Sequence, residues 1–439
     1  MKGLFNWLNK TRIFRDLTPQ EFSWVLYDVG NSAYTMLACS LIPIWFKDLA
    51  IGTAPGQITG DQATAYYALA ISVVTVVVAL LGPIFGALAD RKESKKIFFQ
   101  TTVAAGVVGC VLNSFAWSWL LFLIVYVLTK VLYQASLTFY DSMLNDVTTE
   151  ERMDEVSSYG YAWGYIGSCI PFLIAMVAYI LSGGLSKDLM LFSPLVGKII
   201  GFGVTAIWWM LVTLPLIRNY KQNNYVEATH TTVGQVFRKI GQTFKKIALE
   251  DKKVLFFLIA FFLYIDGVGT IIDNCINIGT DLGLPTVGQV VFLLATQVVA
   301  WIGSLVFAKL SKRFDTVPLI LVCIVGYFAV CLYALTLKTL LHFGILAFGV
   351  GCFQGSIQSL SRSYYSKIIP PENSGEYFGI YDIFCKGASF LGSAVIAWVK
   401  LAGGTINIAV ASLAVFFALG FVFLVISSKQ KSINRGAQE

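Results

Sequence analysis

Charge is the scarcest ingredient of this sequence. Asp, Glu, Lys and Arg make up 13% of its 439 residues, about half the roughly 25% of soluble domains, and this excludes an ordinary water-facing surface. Histidine is nearly missing: only His230 and His342 occur, both in or beside loops, so no histidine relay is available. There is no H-E-x-x-H, no G-x-S-x-G, no ATP-binding motif and no sizeable polar segment, which argues against an enzyme or a primary pump. The eight cysteines fall within or beside apolar runs without metal or redox spacing and read as small core residues. No metal or cofactor is expected. A cleavable signal is also missing, because Lys10, Arg12 and Arg15 interrupt the N-terminal apolar residues and no small-residue cleavage site follows. Leu4, Phe5, Trp7 and Leu8 there suggest a short interfacial helix.

What is present is apolar: 56% of residues are hydrophobic and the mean hydropathy is +0.71. Twelve runs reach spanning length, at 22–46, 66–89, 97–116, 119–145, 158–181, 192–217, 254–280, 287–309, 316–336, 342–368, 377–399 and 405–427. Each has the ~20 residues a helix needs to cross a bilayer, and in lipid such runs must be helical. The fold class is therefore an all-α membrane protein of twelve transmembrane helices. Of the 32 lysines and arginines, 24 fall on one side, in the N-terminal segment, the 90–96 turn DRKESKK, Arg152, the 218–253 segment, Lys309, Lys312, Arg313, Lys367 and the tail. The other side has Lys47, Lys187, Lys338 and Lys400. The positive-inside rule then predicts both termini in the cytoplasm. The net charge of +7 is explained by topology and implies no nucleic acid.

The 218–253 segment divides the chain into 1–217 and 254–439, each with six spans. The two parts repeat one another. YQASLTFYDSMLNDVTTEE at 133–151 aligns without gaps with FQGSIQSLSRSYYSKIIPP at 353–371, an offset of 220, and GPIFGALADRK at 82–92 aligns with GSLVFAKLSKR at 303–313, an offset of 221. Ser158-Tyr159-Gly160 likewise matches Tyr377-Phe378-Gly379. Matches in chain order at one offset mark a duplicated unit. Two parallel six-helix repeats around an axis along the membrane normal are the plan of major facilitator transporters. GALADRKESKK resembles that superfamily's G-x-L-x-D-R signature, which points to Asp90 and Arg91 as conformational machinery. The second copy is degenerate, with Phe307 and Ser311 at the Gly and Asp positions.

YDVGNSAYT, YIDGVGTII, QGSIQSLSRSYYSKIIPPE and GEYFGIYDIFCKGASFLG, with FYDSMLNDV and SSYGYAWGYIGS, resemble the "unknown major facilitator" family, which includes the fungal autophagy-related vacuolar effluxer. The resemblance covers nearly the whole chain. It implies a secondary transporter, by analogy one that releases amino acids, and the superfamily's habit is a monomer. Asp273 departs from the family pattern.

In this architecture spans 1, 4, 7 and 10 line the central cavity, and polar residues recur there at helical spacing. Span 1 carries Asp28, Asn31 and Tyr34; span 4 carries Lys130, Tyr133, Gln134 and Asp141. Span 7 carries Asp266, Thr270, Asp273 and Asn277, and span 10 carries Gln354, Gln358 and Arg362. Ionisable residues at membrane depth are expensive and point to function. The repeat sets Asp141 beside Arg362 across the pseudo-two-fold axis, so the two are expected to pair when the cytoplasmic side closes. Asp382 and Lys386 in span 11 stand at i and i+4 and either belong to the gate or neutralise each other. A proton carrier would have to be a buried carboxylate such as Asp28, Asp266 or Asp273; a facilitator needs none. The sequence thus reads as an alternating-access transporter in a bacterial plasma membrane, carrying a small polar organic solute such as an amino acid, with or without protons. The rival readings are an exporter of an antibiotic or other metabolite and a solute-sensing receptor on the same scaffold.

Overall fold

Hydroxyl residues standing just before apolar runs start many of the helices. Thr18 opens α1 (Pro19–Cys39) with a capping box: its hydroxyl accepts the Glu21 N–H and the Glu21 carboxylate accepts the Thr18 N–H. Thr59 and Gln62 do the same for α3 (Gly60–Ala89), which follows α2 (Leu41–Ala50), the outer continuation of the first span. Once capped, a helix satisfies its own backbone in lipid, and these apolar segments have no other way to do so.

The computed structural model describes residues 17–53, 56–184, 186–227, 233–386 and 390–431. The first bundle continues with α4 (Ser94–Asn113), α5 (Trp119–Ser142), α6 (Met153–Tyr179) and α7 (Pro194–Asn219). The second comprises α9 (Lys252–Asp273), α10 (Cys275–Asp281), α11 (Thr286–Leu310), α12 (Thr316–Tyr333), α13 (Leu340–Ile368), α14 (Ser374–Lys386), α15 (Phe390–Leu401), α16 (Ile406–Ser412) and α17 (Ala414–Lys429). Among the described residues, eleven helices are long and apolar enough to cross a membrane and there is no β-strand. The remaining expected span, the eleventh at 377–399, is described as α14 and α15 on either side of 387–389, which lie outside the described residues. So does the expected interfacial helix around Leu4–Leu8.

Two hydrophobic cores form, one from residues between Leu17 and Tyr220, the other from residues between Ile247 and Leu424. The segment between the bundles contains α8 (Val233–Leu249), an amphipathic helix. Its Ile240 packs on Ala87 of α3, and Lys239 reaches Glu376 of α14 at 3.1 Å. The side that carries α8 and the 90–96 turn is called the basic face below.

The bundles meet most closely where α3 crosses α14. Gly82 and Gly86 of α3 oppose Gly375 and Gly379 of α14, two small-xxx-small pairs facing each other. A Cβ on Gly86 would stand 2.1 Å from the Gly375 carbonyl oxygen, and one on Gly379 would stand 2.5 Å from Pro83 Cα. The duplication seen in the sequence reappears as contacts. Lys95 Nζ donates to the Ser374 hydroxyl at 2.8 Å, and Thr316 Oγ1 donates to Asp154 at 2.6 Å. Thr316 lies 221 residues after Lys95 and Ser374 lies 220 after Asp154, the same offsets as the sequence repeat.

The glycine crossing predicts that Gly86→Val keeps the basic face from closing. Spin labels at Lys92 and Glu372, both exposed and on opposite bundles, should report a longer distance distribution than in the unaltered chain.

Candidate functional site

Arg362 enters from α13 about six residues before the helix ends, roughly 9 Å up its axis. Serines at 356, 359, 361 and 363 keep the surrounding turns narrow, and its side chain is 3% exposed. Nη1 donates to Asp141 Oδ1 at 3.0 Å and Nη2 donates to Asp28 Oδ2 at 3.1 Å. Nε donates to the Ser157 hydroxyl at 3.0 Å and Nη2 also reaches the Ser157 carbonyl at 3.1 Å. The guanidinium plane is enclosed by Trp24, Tyr140 and Tyr161, with centroids 4.5, 5.3 and 4.6 Å from Cζ. All these partners belong to the first bundle, so one arginine of the second bundle is bound by two carboxylates of the other. Gly160 makes room for it: a Cβ there would stand 2.4 Å from Asp28 Oδ2 and 3.2 Å from Arg362 Nη2. Removing one partner of such a buried network typically costs about 3–5 kcal/mol, because a charge is left without compensation.

Nearer the basic face a second layer ties the bundles together. Buried Asp154 at the start of α6 accepts from Lys367 at 2.7 Å, Thr316 at 2.6 Å and Ser363 at 2.5 Å. Glu155 pairs with Lys312 at 2.8 Å. Ser157 donates to the Ser359 carbonyl at 2.7 Å. On the other diagonal, Asp90 accepts the N–H groups of Gly375 and Glu376 at 2.7 and 2.8 Å, capping the first turn of α14. Lys95 lies 3.6 Å from Asp90 and 3.5 Å from Asp146, all fully or nearly buried. Burial pushes the Asp90 carboxyl up to about 6, against the downward pull of Lys95 and the two N–H groups.

The opposite side is less tightly joined. Cys39 on α1 and Asp273 on α9 are both exposed, and Cys39 lies within electrostatic reach of both Asp273 and Lys130. Lys130 Nζ rests 5.1 Å from the Tyr133 ring centroid and 5.7 Å from that of Tyr34. The Tyr133 hydroxyl is hydrogen-bonded with Thr35 at 2.5 Å. The basic face is thus closed, and the opposite side around Lys130, Cys39 and Asp273, with charge of both signs, is called the vestibule below.

The remaining residues singled out from the sequence lie as follows. Asn31 donates to Asp28 at 3.2 Å. Tyr34 is fully buried between Tyr133 and Trp209, packed within the first bundle. Gln134 is half-buried. Gln354 lies beside Tyr165, and its backbone carbonyl accepts from the Gln358 side-chain amide at 3.2 Å. Gln354 also lines a cavity of about 70 Å³ with Cys275, Thr296 and Gln297. Asp266 is fully buried and accepts the Gly392 N–H of α15 at 2.7 Å. Thr270 is buried against the same Gly392. Asp382 accepts from the Thr138 hydroxyl of the other bundle, a contact across the interface. The Arg91 backbone lies beside Val226 of the inter-bundle segment. The side chains of Asn277 and Lys386 lie outside the described residues.

Sequence reasoning passed over Ser157, Asp154, Lys367 and Lys95. Lys95 and Lys367 entered only as topology-setting charges. The signal available was the repeat itself, since the offset of Asp154 to Ser374 matches that of Lys95 to Thr316.

Two related bundles of membrane-crossing helices, eleven of them among the described residues, that meet at a buried charge network have the plan of a major facilitator transporter, which is not an enzyme. A solved major facilitator transporter, FucP in the outward conformation, superposes with a TM-score of 0.72 at 15% identity, covering 94% of this chain and 99% of that one. The profile of the family described as "Vacuole effluxer Atg22 like" matches residues 19–437, and the chain belongs to that family. It is 38% identical to the uncharacterized MFS-type transporter YxiO of Bacillus subtilis over 97% of this chain and 99% of that protein. It is 24% identical to autophagy-related protein 22-1 of Neosartorya fischeri over 62% of this chain and 48% of that protein, so the match spans about half of the fungal relative.

Asp90 yields a pH prediction with a defined sign. Opening the basic face would return it to water and toward its ordinary value of 3.8, so the closed form binds the proton more tightly. Lowering the pH from about 7.5 to about 5.5 should therefore raise the closed population. Distances between labels at Lys92 and Glu372 should shorten on acidification, and Asp90→Asn should flatten that response.

Proposed function

We propose that this chain moves a small polar organic solute, an amino acid or related zwitterion, across a bacterial plasma membrane by alternating access, as a monomer with its basic face in the cytoplasm. The observation that carries this reading is Arg362 of one bundle held between Asp28 and Asp141 of the other. In the closed form the vestibule exchanges solute with the opposite side. Rocking of residues 1–217 against 254–439, joined by 218–253, then separates Arg362 from both carboxylates and opens the basic face. The sidedness of lysine and arginine supports this orientation.

Two carboxylates and one guanidinium carry a net charge of −1. A proton on Asp28 or Asp141 would neutralise the set and leave Arg362 a single counter-charge. Transport that breaks the network is thereby coupled to proton binding. Asp266 contributes in another way, because its carboxylate is committed to the α15 backbone. The vestibule, with Lys130 on one bundle and Asp273 on the other, suits a zwitterion better than an apolar drug. The word effluxer in the family description supports release as the direction.

Counterflow of a labelled amino-acid mixture into proteoliposomes, with and without a pH gradient, tests the proposal. Uptake is expected, with a different rate when a gradient is imposed. Arg362→Asp and Asp141→Arg should each lower it at least tenfold, about 1.4 kcal/mol or more, and the double variant should recover part of the loss. No counterflow with any of a broad metabolite panel would overturn the transport reading in favour of a solute-sensing receptor.

A further inference from the structure

The buried cations at the bundle interface are matched by fixed carboxylates, with one exception. Arg362 has Asp28 and Asp141, Lys95 has Asp90 and Asp146, and Lys367 has Asp154. Lys130, in the middle of α5, has no carboxylate within ion-pair distance among the described residues. It has two tyrosine rings. Cation–π contact at 5.1 and 5.7 Å offsets a part of the cost of an ammonium at membrane depth but supplies no counter-charge. The rings are themselves held in place, Tyr133 by Thr35 and Tyr34 by Trp209, so Lys130 stands on a rigid aromatic seat. It is half-buried, and its charge reaches Cys39, which is exposed in the vestibule.

We infer that Lys130 is the subsite for the carboxylate of the transported solute. Resting on the proposed transport function, this inference goes further by assigning one end of the solute to one residue. A single ammonium balances a single negative charge. A dianionic phosphate or sulfate would leave charge in excess and would also meet Asp273, which acts on the same Cys39 from the other bundle. A monocarboxylate has the right charge, and a zwitterion then turns its ammonium group toward the second bundle, the side of Asp273. Bound solute then supplies the anion that the protein withholds. An ammonium matched by solute costs less to enclose than one left alone, so occupied vestibules close more readily than empty ones.

Cys39 serves as the reporter. In full-length protein with the seven other cysteines replaced by serine, the rate of Cys39 modification is measured with two methanethiosulfonates, one bearing a sulfonate and one a trimethylammonium. The sulfonate reagent should react faster, and Lys130→Gln should collapse the ratio. Amino acids and the amino-free carboxylates of the same skeletons should slow modification by about fivefold or more, while the corresponding decarboxylated amines should not. Lys130→Arg should keep that protection and Lys130→Gln should lose it. Equal protection by the amines, protection that survives Lys130→Gln, or no protection by any carboxylate would overturn the subsite. Counterflow in the same preparations separates the two claims. Counterflow without Lys130-dependent protection overturns the subsite alone, and protection without counterflow overturns the transport reading alone.

Discussion

The closed form depends on one guanidinium. Arg362 is the only connection in which a cation near membrane depth is bound at once by two acids of the opposite bundle, Asp28 and Asp141, among the described residues. A charge so placed is tolerable only while its partners remain. Several features near it follow from that constraint: the serines on α13, the missing side chain at Gly160, and the aromatic enclosure by Trp24, Tyr140 and Tyr161. In the proposed transport cycle the guanidinium is either held by this network or given to water.

Closer to the basic face the same logic is built twice. Asp90 meets the first turn of α14, and Asp154 meets Thr316 and Lys367 at the mouth of the other diagonal. The pseudo-two-fold relation puts hydrogen bonds at matching places but with different chemistry, lysine to serine on one side and threonine to aspartate on the other. The glycine crossing of α3 and α14 brings the backbones close enough for these polar groups to meet. Dispersion at that crossing and charge at its end act together, so the seal is extended and not a single latch.

Much of the fold was legible in the sequence, because spanning length and lysine sidedness are direct consequences of lipid as a solvent. The Asp141–Arg362 contact was reachable because the repeat alignment sets Asp141 opposite Ser361, next to Arg362. Asp28 was visible as a polar residue on a cavity helix, but its role as the second ligand of Arg362 depends on how α1 packs on α6, which no local pattern encodes. Asp266 illustrates the opposite limit. At the sequence level it has the same spacing as a cavity residue, and no local pattern shows that its carboxylate accepts the backbone N–H of Gly392, 126 residues away. Likewise, the spacing of Asp382 and Lys386 gives no hint that Thr138 from the other bundle donates to Asp382.

The most direct test is a structure of this chain with its basic face open to solvent. The account predicts Arg362 still on α13 but beyond hydrogen-bond distance of both Asp28 and Asp141, with those two carboxylates still together on the first bundle. An open basic face with either of the two Arg362 contacts intact would contradict it.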